Sequence, residues 1–251
     1  MFEHFKGEEV FVKKVLDYLD QVQYKQRLIL TSFLDPYHQS IVRSIIGHGD
    51  IQIKEQGGFL NSESQRMIIA PYFYEIEKED FEIVVCKIIY AKNFEKLTHR
   101  DILGALMSIG IKRELFGDIV EKDKDFYLAV DRHIYEYLKD HLSMIKRSKV
   151  KFVEWDEEIE VKNDYLVKSF IVSSFRLDKI ISSFYKISRQ KAAEFIRAGH
   201  VKVNHKPVEQ INYLCNNKDI ISFKKHGRVM FVDCNKQTRS DNYVVEGYFY
   251  K

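Results

Sequence analysis

The sequence predicts an α+β fold in successive parts, and three observations carry that expectation. Apolar residues recur with helical spacing in some segments and alternate with polar ones in others, so helices and strands interleave along the 251 residues. Length divided by about 150 residues per domain gives a small number of domains, and 45% hydrophobic residues suffice to bury a core. Charge is unevenly spread. Residues 174–251 carry 15 Lys and Arg against 7 Asp and Glu, a balance of +8, which leaves −5 for the first 173 residues of a chain with net charge +3.

The first part, residues 1–75, is expected to be a small α+β unit. Phe11, Val15, Tyr18, Leu19 and Val22 fall at helical spacing, which predicts a helix from Glu8 to Tyr24. Asp35 as cap and Pro36 at the first helical position open a second helix through Ile41, Val42, Ile45 and Ile46, and Gly47 ends it. Ile51 and Ile53 alternate as a strand before Gly57-Gly58, and Met67 to Ala70 form another that stops at Pro71.

The middle part, residues 76–156, has a clearer order. Phe81 to Tyr90 is strand-like, and Thr98 with Asp101 three residues on resembles a capping box for a helix carrying Ile102, Leu103, Leu106 and Met107, closed by Gly110. Leu115 to Val120 and Phe126 to Val130 flank the charged turn EKDKD as a hairpin. Asp131 then caps a helix with Ile134, Leu138, Leu142 and Ile145, and Val150 to Trp155 is a last strand. The order is βαββαβ, a ferredoxin-like arrangement of the kind RNA-recognition domains use. Base stacking on such a sheet needs exposed aromatics, and FYLAV offers Phe126 or Tyr127, with core packing favoured over stacking. His99-Arg100 and Lys112-Arg113 bracket the first helix, as phosphate contacts or as plain surface charge.

Residues 157–173 read as a connecting hairpin, with Val161 and Leu166 around Asn163-Asp164. In residues 174–251, Leu177, Ile180, Ile181 and Phe184 make one helix face apolar. A turn at Lys186 and Ile187 follows, Ser188 caps a second helix, and Gly199 closes it. Arg189 at the first helical position sets a cation at the positive end of the helix dipole, so an anion belongs nearby. A phosphate and a local carboxylate such as Asp178 fit equally well. Val201 and Val203 alternate before an Asn204-His205 turn, and strands at Ile220–Phe223 and Val229–Val232 are joined by a basic loop from Lys224 to Arg228. The polar run NKQTRSDN precedes a final strand, Tyr243 to Tyr250.

The run RLD, then SR followed by Ala192, then Gly199, VKVN, the Asp219 turn and Gly227-Arg228 resembles the S4 domain (αL-type RNA-binding), a module of a ribosomal protein and of several RNA-modifying enzymes. His205 departs from it where the family usually has Gly, so a locally different turn is expected. The segments FLDP, GGFLNSESQRMIIAP and HRDILGALMSIGIKRELFGDIV, followed by the S4 module, resemble the YlmH-type S4-domain proteins of bacteria over essentially the full length. That resemblance implies an N-terminal domain, an RRM-like middle and an S4 domain that docks on ribosomal RNA of the large subunit, in ribosome-associated quality control, with peptidyl-tRNA as a further partner. The expected RNA contacts are Arg176, Lys179, Ser188, Arg189, Gln190, Lys191 and Arg197 from the helix hairpin. Lys202, Asn204, His205, Lys206, Lys224, Lys225 and Arg228 are expected to join them from the sheet side.

Other classes fare less well. Arg176-Leu177-Asp178 matches the tripeptide around the catalytic Asp of pseudouridine synthases, but Asp178 falls in the first turn of a helix and no catalytic domain follows. GxSxG, Walker and HExxH patterns are missing, and His48 with Asp50 lacks a third ligand or a nucleophile. Cys86, Cys215 and Cys234 are far apart, so neither disulfides nor zinc are indicated, and no metal or cofactor is expected. No stretch reaches the roughly 20 apolar residues of a membrane span, and MFEHFKGEEV lacks the apolar run of a signal peptide. A cytoplasmic, monomeric, non-catalytic protein is expected. The competing reading is a protein-interaction scaffold in cell-division assembly.

Overall fold

The computed structural model describes residues 5, 7–47, 49–162 and 164–250. The expectations placed on His48 and Asn163 lie outside these residues. The chain divides into two compact units, residues 1–161 and 162–251.

The first unit opens with α1 (Glu9–Lys25), β1 (Ile29–Leu30), α2 (Pro36–Ile46), β2 (Ile51–Gln56) and β3 (Arg66–Pro71). Asp35 caps α2 by accepting from the His38 amide, with Pro36 at the first position. The strands form a sheet in the order β1-β3-β2. All of β3 is buried because its alternating side chains find cover on both sides: Met67 and Ile69 pack with Val15, Val22 and Val42 of the helices, and Ile68 and Ala70 with Ile76 and Phe81.

The middle elements are β4 (Ile83–Tyr90), α3 (His99–Ser108), β5 (Phe116–Lys122), β6 (Asp125–Asp131), α4 (Arg132–His141), β7 (Met144–Ile145) and β8 (Ser148–Glu154). The sheet order β5-β6-β4-β8-β7, with every neighbouring pair antiparallel, is the split βαβ arrangement extended by one short strand. The Thr98/Asp101 capping box is formed, and Asp131 caps α4. That helix stops at His141, earlier than the apolar spacing predicts. Ile145 instead sits in the β7–β8 hairpin, where it pairs with Ser148.

One face of this sheet is covered by helices and the centre of the other by loops, while Ile89 and Val153 on that second face stay exposed. Val84, Cys86, Ile88, Phe126, Leu128 and Val130 point to α3 and α4, while Ile83, Val85, Tyr127 and Ala129 lie under Phe33, Phe59, Trp155, Ile159 and Val161. Phe126 and Tyr127 are therefore core residues, 3% and 5% exposed, and neither can stack on a base. The covering loop sits close because there are glycines on both sides of the contact. Gly58 has φ +89, and a Cβ there would lie 3.0 Å from Ala129 and from Val85; a Cβ on Gly117 would lie 2.7 Å from the Phe33 ring. Asp118 secures the loop by accepting from the amides of Glu63 at 2.7 Å and Ser64 at 3.3 Å. Arg66 reaches from β3 to the Thr31 carbonyl at 2.9 Å, the Glu82 carbonyl at 3.2 Å and the Asp131 carboxylate at 2.9 Å.

The second unit contains β9 (Tyr165–Val172), α5 (Leu177–Tyr185), α6 (Arg189–Arg197), β10 (Val201–Val203), β11 (Lys206–Pro207), β12 (Ile220–Phe223), β13 (Gly227–Gln237) and β14 (Tyr243–Tyr250). Its sheet order is β11-β10-β12-β13-β14-β9. Among the described residues of 157–173 no hairpin pairing forms. The stretch before Lys162 bonds to the Leu60 backbone within the first unit, and β9 pairs with β14 from Tyr165↔Tyr250 to Val172↔Tyr243, a longer ladder than a local hairpin offers. β13 also runs further than the sequence indicates, into the polar run, through an irregularity between Asp233 and Lys236. No helix of the described residues is long and apolar enough to cross a membrane.

The Arg66–Asp131 pair is buried, with side chains 8% and 13% exposed, whereas Arg43–Glu55 is more open at 46% and 25%. Arg66→Ala is expected to cost about 3–5 kcal/mol because it strands Asp131, and Arg43→Ala less than about 1 kcal/mol. Urea denaturation followed at Trp155 measures both; equal losses would show that burial of the pair is not what matters.

Candidate nucleic-acid interface

The helix hairpin of the second unit forms for local reasons. The Ser188 hydroxyl accepts from the Lys191 amide, Lys186 takes a left-handed conformation at the turn, and Gly199 follows α6 at φ +68. Leu177, Ile180, Ile181, Phe184, Ala192 and Ile196 are buried against Val201, Ile221, Phe223, Val229 and Phe231 of the sheet. The opposite faces of the two helices are left for polar side chains.

At the start of the hairpin three charged groups meet. Arg176 donates to both carboxylate oxygens of Asp178, at 3.0 and 3.2 Å, and Arg189 donates to one of them at 2.8 Å. The anion beside Arg189 is thus the local carboxylate, the second of the two readings the sequence leaves open. Burial pushes the Asp178 pKa up, but the two guanidinium groups outweigh it and hold the carboxyl below the usual range. Asp178 is only 3% exposed, so this carboxylate is closed to an incoming substrate. The cluster keeps one net positive charge, and the Arg189 side chain stays 58% exposed.

Arg189 and Lys179, with Ser173, Ser182 and Ser183 and the β9 residues Ile171 and Val172, line a shallow open depression of about 250 Å³. Lys179 donates to the Ser173 hydroxyl at 2.9 Å. Lys191 and Arg197 project from the exposed face of α6, and Gln190 donates to Glu194 at 3.2 Å. Lys224 and Lys225 occupy the β12–β13 turn. Among the described residues Lys191, Arg197, Lys202, Lys224 and Lys225 are exposed and form no ion pair.

The remaining predicted residues divide by role and by face. Ser188 is used as a helix cap. Asn204 is used in the sheet: its amide donates to Asp219 at 2.7 Å, and its carbonyl oxygen accepts from the Ile220 amide at 2.9 Å. His205 keeps the two-residue turn, at φ 67 beside Asn204 at φ 48, so the locally different turn that the sequence points to does not form. Lys206 follows at the start of β11. Because Val201, Val203, Val229 and Phe231 face the helices, strand alternation turns Lys202 and Arg228 to the other side of the sheet. The cations therefore serve two faces and do not converge on one patch. Ser173, Ser182 and Ser183 are missed by sequence reasoning; hydroxyls carry no charge pattern, and their assembly depends on β9 docking beside α5.

Elsewhere, burial lowers the pKa of Arg113, which donates to the carbonyls of Phe116 at 2.6 Å and Gly117 at 3.2 Å, so it is a structural residue and not a phosphate contact. Cys86 and Cys215 are buried thiols, each pushed up to about 12 by burial. Among the described residues no three His, Cys, Asp or Glu side chains gather as a metal site.

The charged cluster has a definite pH signature. With its folded pKa depressed, Asp178 contributes stability that is complete above the ordinary carboxylate value and lost as pH falls through the folded one. Asp178→Asn is expected to lower stability by roughly 1.5–3 kcal/mol at neutral pH. The gap in Tm to the unaltered protein should close below about pH 4; a gap constant down to about pH 2 would remove the ion pairs as its source.

Comparison with known proteins places these features in one family. Residues 7–73 match the family described as YlmH, N-terminal, residues 77–158 a putative RNA-binding domain in YlmH, and residues 175–221 the S4 domain. The ribosome-associated protein quality control protein P2 of Bacillus subtilis (strain 168) is 32% identical over 254 residues, spanning 98% of this chain and 96% of that one. Among solved structures, the cell division protein ylmH from Streptococcus pneumoniae is similar with a TM-score of 0.53 at 28% identity, over 62% of this chain and 96% of that one. With its N-terminal, middle and S4 segments all matched in order, the chain belongs to the YlmH family.

Proposed function

We propose that this protein is a non-catalytic RNA-binding protein that docks on structured ribosomal RNA of the large subunit, in ribosome-associated quality control, through the helix face of its S4 module. The observation that carries this reading is the set of unpaired cations on that face, Lys191 and Arg197 on α6 with Lys224 and Lys225 at the sheet turn. Near the start of the same hairpin, Lys179, Arg189 and serine hydroxyls line a depression suited to a phosphate. The name of the Bacillus subtilis relative supports the ribosomal setting.

Contacts of this kind read backbone shape and depend steeply on salt. The burial of Phe126 and Tyr127 at the centre of the middle sheet supports assigning RNA contact to the S4 module. Asp178 supports the non-catalytic reading, since both its oxygens are engaged by Arg176 and Arg189. The free protein acts as a cytoplasmic monomer, with tRNA on the large subunit as a further contact.

The rival scaffold reading draws on the Streptococcus pneumoniae protein, which is named a cell division protein. Sucrose gradients separate the two. An RNA-docking protein sediments with the large subunit at low salt and is stripped at high salt, whereas a scaffold stays at the top. Lys191→Glu with Arg197→Glu is expected to abolish co-sedimentation. In titrations with structured rRNA fragments, Lys191→Ala with Arg197→Ala should reduce the salt slope by about one for each phosphate no longer neutralised. An unchanged slope would remove these two residues from the interface.

A further inference from the structure

The face of the second sheet turned away from α5 and α6 carries cations that the helix-side reading does not use. One row crosses this face from strand to strand: Lys202 pairs with Ser222, Ser222 with Arg228, and Tyr250 with Tyr165. The row is continuous because Val229 pairs with Phe249, which sets Arg228 beside Tyr250, and the Arg228 guanidinium lies 4.7 Å from the centre of the Tyr250 ring. At about 4.7–4.9 Å per strand, the distance from Lys202 to Tyr165 is about 19 Å. One end of the row is cationic and the other aromatic.

The aromatic end is a cluster. The Tyr165 ring lies 4.9 Å from Tyr250 at 72° and 5.7 Å from Tyr248 at 78°. Such edge-to-face contacts fix the orientation of each ring before any ligand arrives. Met230 and Val167, the cross-strand neighbours of Tyr248, extend the apolar surface, and Val167 is 46% exposed. Glu246, an acid on this face, accepts from the Tyr248 hydroxyl at 3.2 Å.

We infer that this face is a second RNA site, one that takes unpaired nucleotides: bases stack on Tyr165, Tyr248 and Tyr250 while Arg228 and Lys202 hold the adjoining phosphates. The occupant follows from charge and shape. Cations in the same row, within a segment of net charge +8, favour a polyanion. Partly exposed rings then favour a polyanion whose bases are free to stack, which a duplex does not offer. The inference rests on the proposed RNA-binding function but uses different residues, so the two can fail separately.

The test uses the full chain and two probes, an eight-nucleotide oligoadenylate carrying one 2-aminopurine and a 16-base-pair RNA duplex. The oligoadenylate is expected to bind with quenching of the 2-aminopurine. Tyr165→Ala with Tyr250→Ala should weaken that binding by about 10- to 100-fold, with duplex affinity and the salt slope unchanged. Tyr165→Phe with Tyr250→Phe should retain it, because stacking needs the ring and not the hydroxyl. Arg228→Ala should lower the slope for the oligoadenylate by about 0.7. Oligoadenylate binding that is no weaker in the double Ala variant would overturn the inference, as would equal loss in the Ala and Phe variants, or a change of oligomeric state in place of a change in oligoadenylate binding. If the Lys191 and Arg197 variants leave duplex binding intact while the tyrosine variants lose the oligoadenylate, the helix-side reading fails and this one stands.

Discussion

A sheet whose central strands are packed on both faces constrains the rest of the first unit. The middle βαββαβ arrangement has two surfaces to cover, and α3 and α4 cover one. The centre of the second is closed by Phe33 and Phe59 from the N-terminal part and by Trp155, Ile159 and Val161 from the segment after β8. This joins the N-terminal and middle parts into one compact unit. It also fixes Gly58 and Gly117 as glycines, since the approach leaves no room for a side chain. Arg66 works at the same seam, where its guanidinium satisfies two backbone carbonyls and the carboxylate that caps α4. In a fold widely used for stacking RNA bases, Phe126 and Tyr127 are here committed to packing.

The second unit uses charge differently. Its one deeply buried acid in the helix hairpin, Asp178, faces two arginines, so part of the positive potential is set aside for structure. What remains is carried by lysines and arginines on exposed positions of α6 and of the sheet turn. A guanidinium already held by a carboxylate is fixed in place and still has donors to offer, which favours positioning over raw attraction.

Much of this is legible locally. Asp35 with Pro36, Thr98 with Asp101, and Ser188 with Gly199 mark helix ends within a few residues of chain, and the structure forms each of these helices at or near the expected point. What cannot be read is non-local. Tyr127 gives no sign of what covers it, because Phe33 and Phe59 lie far away in sequence. The pairing of Arg189 with Asp178 is one of two equal options until the helices are placed side by side. The division of the basic residues between two faces follows from strand alternation, yet it needs the helices located on one side first.

The pairing of β9 with β14 has a consequence for biosynthesis. About 70 residues separate Val172 from its partner Tyr243, so at roughly 5–20 residues per second the earlier strand waits several seconds for its neighbour to be made. During that interval its backbone donors and acceptors, together with Val167 and Ile171, form an open edge of the sort that invites wrong partners. Completion of this sheet waits for β14, and a chain lacking that strand would leave the edge of β9 permanently unzipped.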